Sequence, residues 1–524
     1  MNGPVTLYDT TLRDGTQGEG INLSLGDKLR LAEKLAQFGI HYIEGGWPGS
    51  NQKDIEFFRE ARSRSWGSAR IAAFGSTRRP GLQVDRDPQV NLLLEAETPV
   101  VTFFGKSWLL HVTEVLRTTP DENVAMVRDT VAWLKQHGRE VIYDAEHFFD
   151  GYQDNPDYAF ATVEAAARAG ADYVVLCDTN GGTLPSRVAS ITADIIKRLP
   201  CRIGIHTHND CGLGVANAIA AVEAGALQVQ GTMNGYGERT GNCNMTSVMP
   251  ILELKLGLKV LPEGRLRQLR ELSHFVDEVA NQNPDIRAPF VGASSFAHKG
   301  GMHVNAVNKL ARTFEHIDPT LVGNTQRILV GELSGRTNVV MKARELGLDL
   351  DEKAPATKKI LDEIKSLENQ GYEFEAADAS FELLVHRHLQ GRQPAFELEE
   401  YHVSIRENPR HGFKTCEATV RLLVDGEKLY TVADGDGPVN ALDAALRKAL
   451  IQKYPDIARI TLTDYKVRIV NPSGGSAARI RVLIQSSNGT AEWSTVGVSD
   501  NIVEASWLAL VDSLEYHLWK HSRA

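Results

Sequence analysis

A chain of 524 residues is too long for one ordinary domain and predicts two or three. With 42% hydrophobic and 24% charged residues it reads as a globular protein with a sizeable core. A formal net charge of −10, with no block of Lys and Arg, argues against nucleic acid or an anionic membrane as the main partner, although single basic side chains can still hold anionic metabolites.

The N-terminus enters an apolar run almost at once, without a basic region leading into an apolar segment, so no signal peptide is expected. No run of about 18 apolar residues occurs, so no membrane span is expected. The five cysteines, Cys177, Cys201, Cys211, Cys243 and Cys416, include no Cys-x-x-Cys pair. A disulfide scaffold is therefore not predicted, and a reducing cytoplasm is.

The first 250 or so residues repeat one unit, a short β-branched run, a polar end and an amphipathic helical stretch. The runs are Val5–Tyr8, Tyr42–Glu44, Ile71–Phe74, Val100–Phe104, Val141–Tyr143, Tyr173–Cys177, Ile203–Ile205 and Leu227–Gly231. Helical patterns lie between them at Asp27–Phe38, Glu122–Gln136, Tyr158–Ala169, Leu184–Arg198 and Val215–Ala224. Alternating strands and helices imply a parallel sheet, and eight units suit a (β/α)8 TIM barrel over residues 1–265. A doubly wound open sheet is the alternative. The polar segments that end the runs favour the barrel, because there they would meet on one face: Asp9–Asp14, Glu44, Asp144–His147, Asp178–Asn180, His206–His208 and Asn234–Arg239.

Residues 266–390 change rhythm. Helical patterns at Leu266–Ala280, Arg336–Leu346, Thr357–Gln370 and Phe381–Leu389 surround an irregular stretch from Gly292 to His303, so this part reads as helical linker subdomains. Residues 391–524 read as a C-terminal α+β domain with a pseudo-repeat. Ala418–Val424 and Ala478–Ile484 align, and each is followed by a Gly-rich turn and a helix, Val439–Leu450 and Ile502–Leu514. One α+β domain without internal symmetry is the alternative. The glycine-bearing turns Asp434–Pro438 and Pro472–Gly475 would let backbone approach a ligand, or are plain turns.

His206 and His208 stand two apart at the end of the seventh run, so on a strand they point to one side. Two imidazoles there build a poor core and a good divalent metal site. Asp14, after the first run, and Asn242 would complete it, and the spacing does not choose among Mg, Mn and Zn. Arg13 reads either as an ion-pair partner of Glu44 or Glu238, or as a guanidinium aimed at an oxygen that becomes negative during reaction. Glu146 is the favoured functional acid, with Asp144 on the same side by alternation and Glu44 a further option. Thr179 can donate to a carboxylate or act as a cap.

Three segments, Asp9–Gln17, His206–Asp210 and Gly235–Asn242, together resemble the isopropylmalate synthase family, the acyl-CoA-condensing branch of the barrel metallolyases, which also includes homocitrate synthases. Segments at 39–49, Phe104–Trp108, Ile142–Gly151 and Leu176–Pro185 are similar to its citramalate synthase branch. The resemblance implies condensation of acetyl-CoA with pyruvate to (R)-citramalate and CoA in isoleucine biosynthesis. It also implies feedback by isoleucine through a tail that dimerises. It assigns Asp14, His206, His208 and Asn242 to the metal, Arg13, Gln17, Asp144 and Thr179 to the substrate, and Arg13, Glu146 and His303 to catalysis. His303 lies in a segment that reaches the partner subunit's active site in this family. Relatives using 2-ketoisovalerate or 2-oxoglutarate share the barrel motifs, and a non-catalytic amino-acid sensor of the same fold is a remote alternative. Two departures stand out: Phe314 where relatives usually carry Tyr, and Cys243 where Ala is common.

Overall fold

The computed structural model describes residues 3–390, 394–408, 413–470 and 478–521. All eight apolar runs become strands: β1 (Thr6–Asp9), β2 (Tyr42–Gly46), β3 (Arg70–Ser76), β4 (Val100–Lys106), β5 (Glu140–Glu146), β6 (Tyr173–Asp178), β7 (Arg202–Thr207) and β8 (Gln228–Gly231). Each pairs in parallel with the next, and β8 returns to β1 with Tyr8 opposite Gln230, so the sheet is a closed barrel. Most strands run further toward their C-terminal ends than the apolar signal did. The added residues are polar ones, such as Lys106, Glu146, Asp178 and His206.

Strand alternation sorts the interior into two parts. Tyr8, Tyr42, Ala72, Val100, Ile142, Tyr173 and Val175 fill it with apolar side chains. Two residues further along the same strands, the inward positions are Glu44, Thr102 and Asp144, with Gln230 and His206 on β8 and β7, all buried. The barrel interior is thus a packed base beneath a polar ceiling. The helices outside bury leucine and valine against the strands, and several start on a proline in the first turn, as at Pro120, Pro156 and Pro185.

The described residues fall into two compact units. One runs through Phe296 and includes Ile317–Thr325; the other holds Ala297–His316 and the chain from Gln326 onward. Packing therefore draws the divisions at different residues from 265 and 390. The helix Leu269–Val279 buries Leu269, Leu272 and Val276 in the barrel's own core. In the second unit, the helix Asp378–Gln390 is tied to the C-terminal helix Ile502–His521. Ser380 Oγ donates to Asp512 Oδ2 at 2.7 Å, and Arg387 Nη2 donates to Asp512 Oδ1 at 2.8 Å.

Two residue pairs form the short ladder of β9 (Ala297–His298) and β10 (Arg327–Ile328). The tail holds two three-stranded antiparallel sheets. One is β11 (Glu397–Asn408), β12 (Phe413–Val424) and β13 (Glu427–Gly435), followed by the helix Pro438–Leu450. The other is β14 (Thr461–Ile469), β15 (Ile480–Ser487) and β16 (Glu492–Ser499), followed by Ile502–His521. The repeat segments supply the central strands, β12 and β15, and the first strand of each sheet, β11 and β14, carries one irregularity near its start, at Leu398/Glu400 and at Leu462/Asp464. The pseudo-repeat is therefore structural.

Of the two glycine-bearing turns, 472–475 lies outside the described residues. In the other, a Cβ on Gly435 would stand 2.4 Å from the Ala441 backbone nitrogen, so glycine there lets β13 meet its helix closely. No helix among the described residues is long and apolar enough to cross a membrane.

Candidate active site at the barrel mouth

The segment after β1 folds back in a tight turn that places two site residues. Asp9 Oδ1 accepts from the Thr11 backbone N–H at 3.0 Å and Oδ2 from its hydroxyl at 2.9 Å, while the Arg13 N–H donates to the Thr10 carbonyl at 3.1 Å. Asp9 is fully buried, and desolvation, with some help from Glu44, pushes its carboxyl up to about 7. Arg13 and Asp14 then face the mouth. Arg13 Nη2 donates to Asp14 Oδ2 at 2.9 Å, its Nε pairs with buried Glu44, and its guanidinium lies 3.5 Å from the centre of the Phe74 ring. Of the partners expected for Arg13, Glu44 is the one it pairs with, and the guanidinium also lines the cavity.

That cavity, about 220 Å³, is lined by Arg13, Asp14, Gln17, Asp144, Glu146, Thr179, His206 and His208, with Trp47, Phe74, Phe104 and Cys177 as its apolar wall. Seven of these, on or just after β1, β5, β6 and β7, are site residues expected from sequence, besides Gln17 at the end of the first turn, and Glu238 also lines the cavity. Thr179 Oγ1 accepts from the His147 N–H at 2.9 Å, so its own proton is free to point elsewhere. Glu146 is ion-paired with Lys106. Asp144 is buried and pushed up to about 7 by desolvation, with His206 acting against it.

The loop after β8 brings in Asn242. It lies alongside the end of β7: the Asn209 N–H donates to the Gly241 carbonyl at 2.9 Å, and Cys243 N–H to the Thr207 carbonyl at 2.8 Å. Asn242 Nδ2 donates to the Tyr236 carbonyl at 3.2 Å, which turns Oδ1 toward His206 Nε2 at 3.1 Å. Asp14 Oδ2 stands 3.6 Å from the same nitrogen. Carboxylate, amide oxygen and imidazole nitrogen are all lone-pair donors to a cation, so this convergence fits a divalent ion.

His208 is arranged differently. Arg239 Nη2 lies 3.2 Å from its Nδ1, and an arginine only donates, so Nδ1 is already in use and the neutral ring carries its proton on Nε2. Burial, then His206 and Arg239, push the His208 ring down to about 3, so it is neutral near pH 7. Among the described residues no three His, Cys, Asp or Glu side chains are gathered tightly enough to enclose an ion as they stand. To join Asp14, His206 and Asn242, His208 would release Arg239.

His303 belongs to the second unit. It is exposed on the helix Gly301–Lys309, and its ring stacks on Phe314 with centroids 4.3 Å apart. The side chain that replaces the usual tyrosine is thus in direct contact with His303. Cys243 is wholly buried and behaves as a small packing residue.

Sequence reasoning passed over Lys106, Gln230 and the aromatic wall. Trp47 meets Phe74 and Phe104 edge-on at 5.9 and 5.7 Å, and Phe74 stacks on Phe104 at 5.8 Å. A signal existed for Lys106 and Phe104, which alternate at the end of a run just as the named polar residues do.

Comparison with known proteins now adds to the geometry. Residues 4–276 match the HMGL-like family model, 290–372 the homocitrate synthase post-HMGL domain-like model, and 375–518 the LeuA allosteric (dimerisation) domain. An (R)-citramalate synthase of Aquifex aeolicus is 54% identical over 99% of both chains, and one of Geobacter sulfurreducens is 50% identical over 98% of both. The chain belongs to the citramalate synthase family. A 2-isopropylmalate synthase of Methanocaldococcus jannaschii is 31% identical over 99% of this chain and 96% of its own. Like the rest of the citramalate synthase family, this chain is an acyltransferase with a TIM-barrel catalytic domain and a dimerisation domain.

Proposed function

We propose that the chain condenses acetyl-CoA with pyruvate to give (R)-citramalate and CoA, with Asp14, His206, His208 and Asn242 holding a divalent metal. When bound, the ion would offset the keto acid's negative charge and make its keto carbon more electrophilic. Thr179, its oxygen engaged by His147, turns its hydroxyl proton to the pyruvate carboxylate. Gln17 and Asp144 border the same substrate. A base takes a proton from the acetyl methyl, and His303 and Glu146 are the proposed candidates. The enolate carbon attacks the keto carbon, Arg13 holds the oxygen that becomes negative, and water cleaves the thioester to release CoA.

The observation that carries the choice of keto acid is the aromatic wall. Trp47, Phe74 and Phe104 close the side of the cavity next to Arg13, which supports a methyl group there over an isopropyl. Trp47 is itself held, its N–H donating to Asp54 Oδ2 at 2.8 Å and its Nε1 to Gln89 Oε1 at 3.2 Å.

The match to an allosteric dimerisation domain supports a homodimer whose tail binds the pathway end product, isoleucine. Free cysteines throughout support a cytoplasmic setting. The deciding experiment measures CoA release with pyruvate, 2-ketoisovalerate and 2-oxoglutarate, with Mg, Mn or Zn and after chelation. Pyruvate should give the highest kcat/KM, and chelation should remove turnover. A preference for 2-ketoisovalerate would overturn the substrate assignment, and full turnover after chelation would overturn the metal.

A further inference from the structure

Gln230 lies fully buried on β8, where its inward direction brings it between two residues of other strands. Its Nε2 stands 3.0 Å from Asp144 Oδ1 on β5 and 3.5 Å from Gln228 Oε1, and its Oε1 stands 2.8 Å from His206 Nδ1 on β7. The polarity of this chain follows from the charge on Asp144. When Asp144 is ionised it only accepts, and the Gln230 amide nitrogen then faces Asp144 while its oxygen faces His206. An amide oxygen also only accepts, so His206 Nδ1 must carry the ring proton. A neutral imidazole has one N–H, so Nε2 is left with a bare lone pair, on the side where Asn242 Oδ1 and Asp14 Oδ2 converge.

We propose that Gln230 is a positioning residue for the metal site: it fixes the tautomer and ring orientation of His206, with Asp144 fixing Gln230 in turn. The proposal rests on the metal reading of Asp14, His206 and Asn242, and it gives buried Asp144 a role beside the substrate one. The physical basis is general. A ligating imidazole whose second nitrogen donates to a fixed acceptor is more basic and better aimed, and losing such a partner weakens metal binding about 10–100-fold. Without it, His206 would also spend time as the Nε2–H tautomer, which presents a proton to the ion.

The test uses full-length protein freed of metal by chelation. Titration calorimetry with Mn²⁺, Mg²⁺ and Zn²⁺ compares wild type with Gln230→Met, which keeps the bulk of the side chain and removes the acceptor. Kd should rise about 10–100-fold. Wild-type affinity in folded Gln230→Met would overturn the proposal, whereas absence of binding in wild type would instead overturn the metal reading on which it rests. A second measurement does not depend on how the variant folds. In metal-free wild type labelled with ¹⁵N-histidine, His206, assigned with His206→Gln, should show its proton on Nδ1. A proton on Nε2 would overturn the proposal.

Discussion

At the scale of single residues, Arg13 pairs with Glu44 and has a proposed catalytic role, and substitutions should report both. Arg13→Ala would remove the donor proposed to meet the developing negative oxygen, so kcat should fall about 10²–10³-fold in the CoA-release assay. It also strands Glu44, which is fully buried. Leaving one partner of a buried pair unmatched costs about 3–5 kcal/mol, so denaturant unfolding should show a clear loss of stability as well. Asp9 gives a pH effect with a definite sign. Its folded-state value of about 7 lies above its ordinary carboxylate value, so between them the folded state holds a proton that the unfolded state has lost. Stability therefore falls as pH rises from about 4 to about 7, by up to roughly 4 kcal/mol from this group alone. Asp9→Asn should flatten that slope in unfolding curves taken across this range. An unchanged slope would mean that Asp9 is ionised throughout.

At the scale of elements, the barrel strands were legible and their ends were not. Apolar runs announce the buried middle of each strand, but the functional ends are polar, so Lys106 and Glu146 fell outside the runs even though β4 and β5 include them. The helix Gly301–Lys309, which carries His303, was hidden in a stretch read as irregular because its glycines argue against helix. The loop after β8 depends on backbone that only glycine adopts easily. Gly241 has φ +92°, and a Cβ there would stand 1.9 Å from the Gly235 carbonyl oxygen. Gly241→Ala should displace Asn242, costing more than about 1 kcal/mol of stability and raising the metal Kd at least about tenfold, as read by calorimetry. The aromatic wall makes a separate prediction. Phe104→Ala opens room beside Arg13 and should shift the kcat/KM ratio toward 2-ketoisovalerate by about 1–3 kcal/mol. An unchanged ratio would place the keto acid's side chain against another surface.

At the scale of the whole chain, the helix Asp378–Gln390 decides where the protein can be cut. Its Phe381, Leu384 and Val385 are buried in one cluster with Trp519 of the C-terminal helix. A chain ending at residue 390, where the helical pattern gives way to the tail, leaves those side chains and Asp512's partners uncovered, so it should aggregate on size-exclusion chromatography. A soluble, monodisperse product would show that the helix packs adequately without the tail. Inhibition by isoleucine is therefore best read on the full-length chain.

The sequence by itself determined what depends on neighbours along the chain. Period-two alternation put His206 and His208, and likewise Asp144 and Glu146, on common faces, and eight repeats of strand and helix specified a parallel sheet whose polar strand ends favoured closure. A repeat of about 60 residues likewise foretold two matching units in the tail, and the structure made their segments β12 and β15 the central strands. Only the tertiary structure decided which lone pairs meet. Gln230, Asp144, His206 and Asn242 come from different strands and a loop, and barrel closure brings them within hydrogen-bond reach of one another. Arg239 claims His208 for the same reason. Hydrogen-bond polarity across a barrel is a property of non-local neighbours, and no local pattern in the chain encodes it.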